Sequence, residues 1–277
     1  MTLSARNHAF RLVILLSFLC LLLCVLASLK VLPVYSFMEG EISRRAGGIF
    51  QAILGHFFDA RLLAVHFSIA ALVLYSFVSM VFVYYFFEKT QSPEIIFVAF
   101  FAASFSLEVL RLVLPIGRIY EIPSMYTLVA ARIILFARFF GIFSLFVASL
   151  LATGYEVQRQ RNIHMLVILA ALILALGIPI DSQTWDSSLT MIKGYLPMLR
   201  FIDAGVSLIT ISGFFIATWS RGSSKFVFIG MGAAFALLGR AILLNADMWA
   251  CLPIGLPFLI AGTLLLCINI HKIYLWL

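Results

Sequence analysis

The sequence predicts an all-α, polytopic integral membrane protein with about eight transmembrane helices. Three observations carry this. Of 277 residues, 64% are hydrophobic and 11% are charged, against about 25% charged in an ordinary soluble domain. The apolar residues fall in unbroken runs of the length, about 20 residues, that crosses a bilayer. The runs lack the alternation over segments of about 10 residues that a transmembrane barrel needs. No soluble fold of this size hides so much apolar surface. A cytosolic enzyme, a nucleic-acid binder and a disordered chain are thereby excluded. The net charge of +7 is a matter of topology, and the first partner is the lipid bilayer. Four cysteines form no CxxC pair, so no cofactor or metal is expected.

Eight spans are expected, near 10–32, 62–87, 94–115, 125–151, 163–179, 197–219, 226–245 and 253–274. Residues 1–33 form a first transmembrane helix or signal anchor. Arg6 and Arg11 precede its apolar run, and Val25-Leu26-Ala27 resembles a signal-peptidase site, although the length of the run favours retention. Residues 34–61 make a short outer segment, with Ile49, Phe50, Ile53, Leu54, Phe57 and Phe58 at the spacing of an interfacial amphipathic helix. Residues 62–277 make a seven-helix bundle. Prolines punctuate it: Pro33, Pro115 and Pro179 at span ends, Pro93 after the N-cap candidate Ser92, Pro197 and Pro253 at span starts, Pro257 at a kink. Gly232, Ala236 and Gly239 on span seven provide a small-residue stripe for close helix packing.

Lys and Arg set the orientation. Arg6, Arg11, Lys89, Arg159, Arg161, Arg221, Lys225 and Lys272 fall on one side. Arg44, Arg45, Arg61, Arg118 and Lys193 fall on the other with most of the acids. Both termini are therefore expected inside. Trp185, Trp219, Trp249 and Trp276 fall at the expected interfaces, where indole rings prefer to sit.

Charges within the spans are the functional candidates, since each costs about 2.5–3.5 kcal/mol near the bilayer centre unless paired or wetted. They are Glu108 and Arg111 on span three, Arg132 and Arg138 on span four, Arg200 and Asp203 on span six, and Arg240 on span seven. At about 1.5 Å per residue, all but Arg138 lie within roughly 10 Å of the outer span ends. Ser104, Glu108 and Arg111 recur at i, i+4, i+7, and Arg200, Asp203, Ser207 and Thr210 at i, i+3, i+7, i+10, so each set makes one helical stripe. Five arginines against two acids fit an outward-facing pocket for an anionic small molecule or lipid headgroup, because guanidinium binds oxyanions bidentately. The same residues can instead pair with one another, or snorkel to headgroups in the case of Arg132 and Arg240. Span five carries no charge between Ile163 and Pro179 and is expected to face lipid. His56, Asp59 and His66 are spaced too widely for one ion on one helix. Catalytic signatures are absent, and no Ser or Cys has an evident His base at matching depth.

Ser220-Arg221-Gly222 leads into Lys225-Phe226-Val227-Phe228, an apolar helix, a short outer turn and Pro253-Ile254-Gly255, and a basic inner loop with Arg159 and Arg161 follows span four. In these features spans two to eight resemble the seven-helix membrane modules of bacterial sensors: the seven-transmembrane receptors with diverse intracellular signalling modules, and the seven-helix input domains of histidine kinases. The resemblance implies a sensor in the bacterial inner membrane with a cytoplasmic signalling partner, met at Arg159, Arg161, Arg221 and the last helix. The chain departs from the pattern in its outer segment, too short for the family's usual ligand-binding domain. It also stops at Leu277, where an output domain would follow. An anion transporter or channel with Arg138 as its midplane station, and a lipid-modifying enzyme, are the alternatives.

Overall fold

A computed structural model of the chain describes residues 3–43, 61–88, 92–154 and 160–274. Among these, seven helices are long and apolar enough to cross a membrane: Arg6–Pro33, Leu62–Phe87, Pro93–Gly117, Ser124–Ala152, Leu196–Arg221, Lys225–Leu244 and Cys251–Tyr274. A shorter apolar helix, within Gln160–Gly177, is the expected span five. The protein is an all-α, multi-pass integral membrane protein. Lipid-facing side chains such as Leu12, Leu15, Leu22 and Leu26 are exposed. The proposed interfacial stretch with Ile49 to Phe58, and Arg159, lie outside the described residues.

Span one buries a single seam. Phe10, Ser17, Cys24 and Val31 recur every seven residues and are all buried, the a-position spacing of a coiled-coil seam. Its helix does not end at Pro33 but runs to Ser43. Proline removes one backbone bond and is tolerated in membrane helices. At the face that carries the N-terminus, Arg6 donates to the carbonyl of Phe87 at 2.5 Å, fixing span one to the end of span two. On the same face, the Tyr274 hydroxyl donates to the Glu94 carboxylate at 2.7 Å, tying span eight to span three.

Span four lies at the centre, in contact with spans three, five and six. Spans seven and eight pack most closely, because a Cβ on Gly262 would meet the Gly232 carbonyl at 2.6 Å. The small-residue stripe on span seven is thus met by a second one on span eight. Span five packs on span four through Val167, Ala171 and Ala175, and its other faces are exposed.

Two features depart from simple spanning helices. Residues Phe105–Leu112 of span three form a 3-10 segment between α-helical Pro93–Ser104 and Val113–Ile119. Ser104 just before it and Ser106 within its first turn donate to the carbonyls of Phe101 and Ala103, three residues back. Pro115 below it has no N–H for the Arg111 carbonyl. Serine back-bonding and proline both loosen the α ladder, which favours the tighter turn. The second departure is an antiparallel hairpin, β1 (Ile180–Trp185) with β2 (Met191–Lys193), in the connection between spans five and six. It crosses the mouth of the bundle. Leu189 in its turn packs with Cys20, Cys24, Val65, Ile69 and Val109 from spans one to three, and Met191 packs with Leu114 and Ala131.

Candidate functional site

Five of the seven intramembrane charges come together beneath the hairpin. In 3-10 geometry, positions i and i+3 eclipse, and Arg111 Nη1 therefore lies 3.4 Å from Glu108 Oε2. Span four approaches closely at Gly141, where a Cβ would collide with Ser104 Oγ. One turn away, Arg138 grips the same carboxylate with Nε to Oε1 at 2.8 Å and Nη2 to Oε2 at 2.9 Å. From span seven, Arg240 Nη2 donates to the Arg138 carbonyl at 3.1 Å, and Nη1 donates to Asp203 Oδ1 of span six at 2.8 Å. The chain Arg111–Glu108–Arg138–Arg240–Asp203 links spans three, four, seven and six. Arg111 and Glu108 are essentially unexposed at 0% and 1%, while Asp203 is 36% exposed.

Three guanidiniums against two carboxylates leave this chain with one positive charge in excess. The hairpin meets that charge from outside. Arg111 Nη2 donates to the carbonyl of Ser188 in the hairpin turn. Lys193 on β2 lies near enough that burial, and then the Arg138 and Arg111 guanidiniums, push its ammonium down to about 7, although Glu108 and Asp186 pull the other way. A cavity of about 10 Å³ remains between Lys193, Met191, Leu114 and Ala131, room for one water at most. The hairpin therefore fills the place in which an open polar pocket was expected.

The other two expected site residues lie apart from this chain. Arg132 donates to the carbonyls of Ala175 at 2.6 Å, Leu176 at 3.0 Å and Ile178. These belong to the last turn of span five, whose final carbonyls lack helical donors and where the dipole favours a cation. Arg132 is thus a helix cap rather than a snorkelling side chain. Arg200 is exposed, and its expected neighbour Asp203 is taken by Arg240.

Sequence reasoning missed the hairpin contributions of Ser188 and Lys193. The turn-forming run Asp186-Ser187-Ser188, flanked by Ile180 and Met191, carried a signal for them. It also expected no serine near a histidine at matching depth, yet Ser28 Oγ lies 2.8 Å from His66 Nε2. Ser28 donates its one hydroxyl proton to the Cys24 carbonyl at 2.7 Å, so it accepts from the ring. That makes the pair a strut between spans one and two rather than an activated nucleophile. Among the described residues no group of three or more His, Cys, Asp or Glu could hold a metal ion.

Comparison with known protein families, with curated proteins and with solved structures returns no match for this chain.

Proposed function

We propose that the protein is a receptor-like membrane sensor whose ligand is an anionic small molecule or a lipid headgroup, taken at the arginine chain under the hairpin. The observation that carries this reading is the bond from Arg111 to the Ser188 carbonyl, made where the chain holds one uncompensated positive charge. A neutral carbonyl is a weaker acceptor for guanidinium than an anionic oxygen, which makes bonds about twice as strong. The Ser188 oxygen stands where a carboxylate or phosphate oxygen would bind better, and Lys193 adds a second cation at the entrance.

The hairpin is held under tension. Leu189 adopts φ +54, a left-handed conformation that costs a non-glycine residue about 1–2 kcal/mol. Burial of its side chain offsets this by about 1.5–3 kcal/mol. A ligand that takes Arg111 removes one support of the turn and so favours its release. Because the chain joins spans three, four, six and seven, rearrangement at Glu108 reaches the helix ends on the opposite face, where Arg221 donates to the Leu151 carbonyl at 3.0 Å. A signalling partner would read the change there. The surroundings of this reading are the bacterial inner membrane with both termini cytoplasmic, as in the seven-helix sensor modules that the sequence resembles. Transport has less support: Ser144, Ser149, Thr153 and Thr218 donate to carbonyls of their own helices at 2.7–3.4 Å, so their protons do not line a route inward from Arg138.

The test uses the full chain in nanodiscs, with acetate, inorganic phosphate and phosphatidylglycerol compared against phosphatidylcholine. Binding should be seen for at least one anion and should weaken about tenfold or more in Arg111→Gln and Lys193→Gln, the loss of one charge-assisted bond. Equal binding in wild type and Lys193→Gln, or no response to any anion, overturns the reading.

A further inference from the structure

A second site lies in the other half of the membrane, away from the arginine chain and independent of it. Spans five and six both pack on span four. At the hairpin end Leu199 and Ile202 of span six share one apolar cluster with Ala171, Ala175 and Ile178 of span five and with Leu135 and Phe139 of span four. Toward the N-terminal face a groove of about 610 Å³ remains between them, lined by Phe143, Phe146, Leu150, Leu166, Ala170 and Val206 among others, all apolar. This volume is in the range of specific small-molecule sites, about 300–1,000 Å³.

We propose that this groove holds one acyl chain of a phospholipid from the leaflet on the N-terminal side. An α-helix with side chains is about 10–12 Å across, so each turn displaces about 420–610 Å³. The groove would seat only a turn or two of a partner helix, whereas a single acyl chain is narrow enough to lie along it. Charge complementarity supplies the second argument. Leu151 lines the groove, and Arg221, which also lies 4.0 Å from the buried Glu94 carboxylate, donates to the Leu151 carbonyl while its side chain stays 31% exposed. A phosphate at the mouth would meet this guanidinium. Two aromatic side chains and the small Ala170 shape the groove for a chain that stays, in contrast to the leucine-rich outer face of span one.

The experiment uses full-length protein in nanodiscs containing phosphatidylglycerol with a photoreactive diazirine near the end of one acyl chain. Irradiation should place adducts mainly on residues 143–151, 163–170 and 206–209, with few on the equally apolar face around Leu22. Ala170→Trp and Val206→Trp fill the groove and should lower the adducts there about tenfold while leaving those near Leu22 unchanged. Arg221→Gln should reduce the preference for phosphatidylglycerol over phosphatidylcholine. If the filled variants do not insert, the wild-type map decides alone. Adducts spread over spans one, five and six in proportion to their exposure overturn the proposal. So does a photoreactive residue at position 206 that captures a partner helix in place of lipid.

Discussion

Arg138 and Glu108 meet fork to fork, with two bonds of 2.8 and 2.9 Å between spans three and four, and Arg111 takes the same carboxylate from its other side. One buried acid thus bridges two buried guanidiniums. Removing it leaves both cations without this carboxylate, and Glu108→Gln should cost about 3–5 kcal/mol, the usual loss when one member of a buried pair is removed. Replacing Glu108 and Arg138 together by methionine should cost clearly less, because Arg111 alone is then stranded instead of both cations. Unfolding of the three proteins in mixed micelles measures this. A double variant as unstable as Glu108→Gln contradicts the pairing.

Arg132 is assigned to capping rather than to ligand binding. Arg132→Ala should free the carbonyls of Ala175, Leu176 and Ile178 and destabilise the end of span five by about 1–3 kcal/mol. Hydrogen exchange should rise around residues 174–178 while anion binding stays at the wild-type level. Loss of binding with unchanged exchange would return Arg132 to the site.

Lys193 makes the hairpin pH-dependent. With the hairpin docked, burial holds this ammonium down at about 7, against 10.5 when it is free. Between those values the docked state binds fewer protons than the released one, so rising pH favours docking. As pH falls through about 7, the docked lysine takes up a proton beside Arg138 and Arg111. The penalty on docking therefore accrues as pH falls from about 10.5 to about 7 and is constant below, so anion binding should strengthen across that range. Lys193→Met should flatten this dependence. Trypsin or chemical-labelling access to residues 186–193 across pH 6 to 9 reads it, and an unchanged slope in Lys193→Met contradicts the assignment.

Gly141 sets the distance across which Arg138 reaches Glu108. A Cβ at this position meets Ser104 Oγ on the facing helix. Gly141→Leu should push spans three and four apart at a cost of about 1–3 kcal/mol, the range for overpacking. It should also weaken anion response, because Glu108 and Arg138 move with their helices. Stability and binding that both remain at wild-type levels would show that the close approach is unimportant.

The spans were legible in the sequence because length and hydropathy decide them locally, and the eight expected runs match helices to within a few residues, apart from the first helix running on to Ser43. Span five's exposure followed from its lack of charge. The intramembrane charges were legible as a set, and the partners were not. Glu108 sits equally close in sequence to Arg111 and to no other cation, yet its strongest bonds go to Arg138, 30 residues away, through a glycine contact that no single helix displays. Asp203 likewise pairs with Arg240, 37 residues away, rather than with Arg200. The hairpin was hidden because its strands are short, and Leu189 and Met191 are buried by spans distant in sequence. The 3-10 segment depends on two serines and a proline acting together, each of which is tolerated in an ordinary membrane helix.

The central claim is that the hairpin occupies the position of an anionic ligand on Arg111. Hydrogen exchange of the full chain in nanodiscs tests it most directly, at the amides of Asp186 and Leu189, which bond to the carbonyls of Thr190 and Asp186 within the hairpin. Addition of the anion that binds should raise exchange at residues 186–191 and leave span four protected. Anion binding that leaves the hairpin as protected as before would contradict the account.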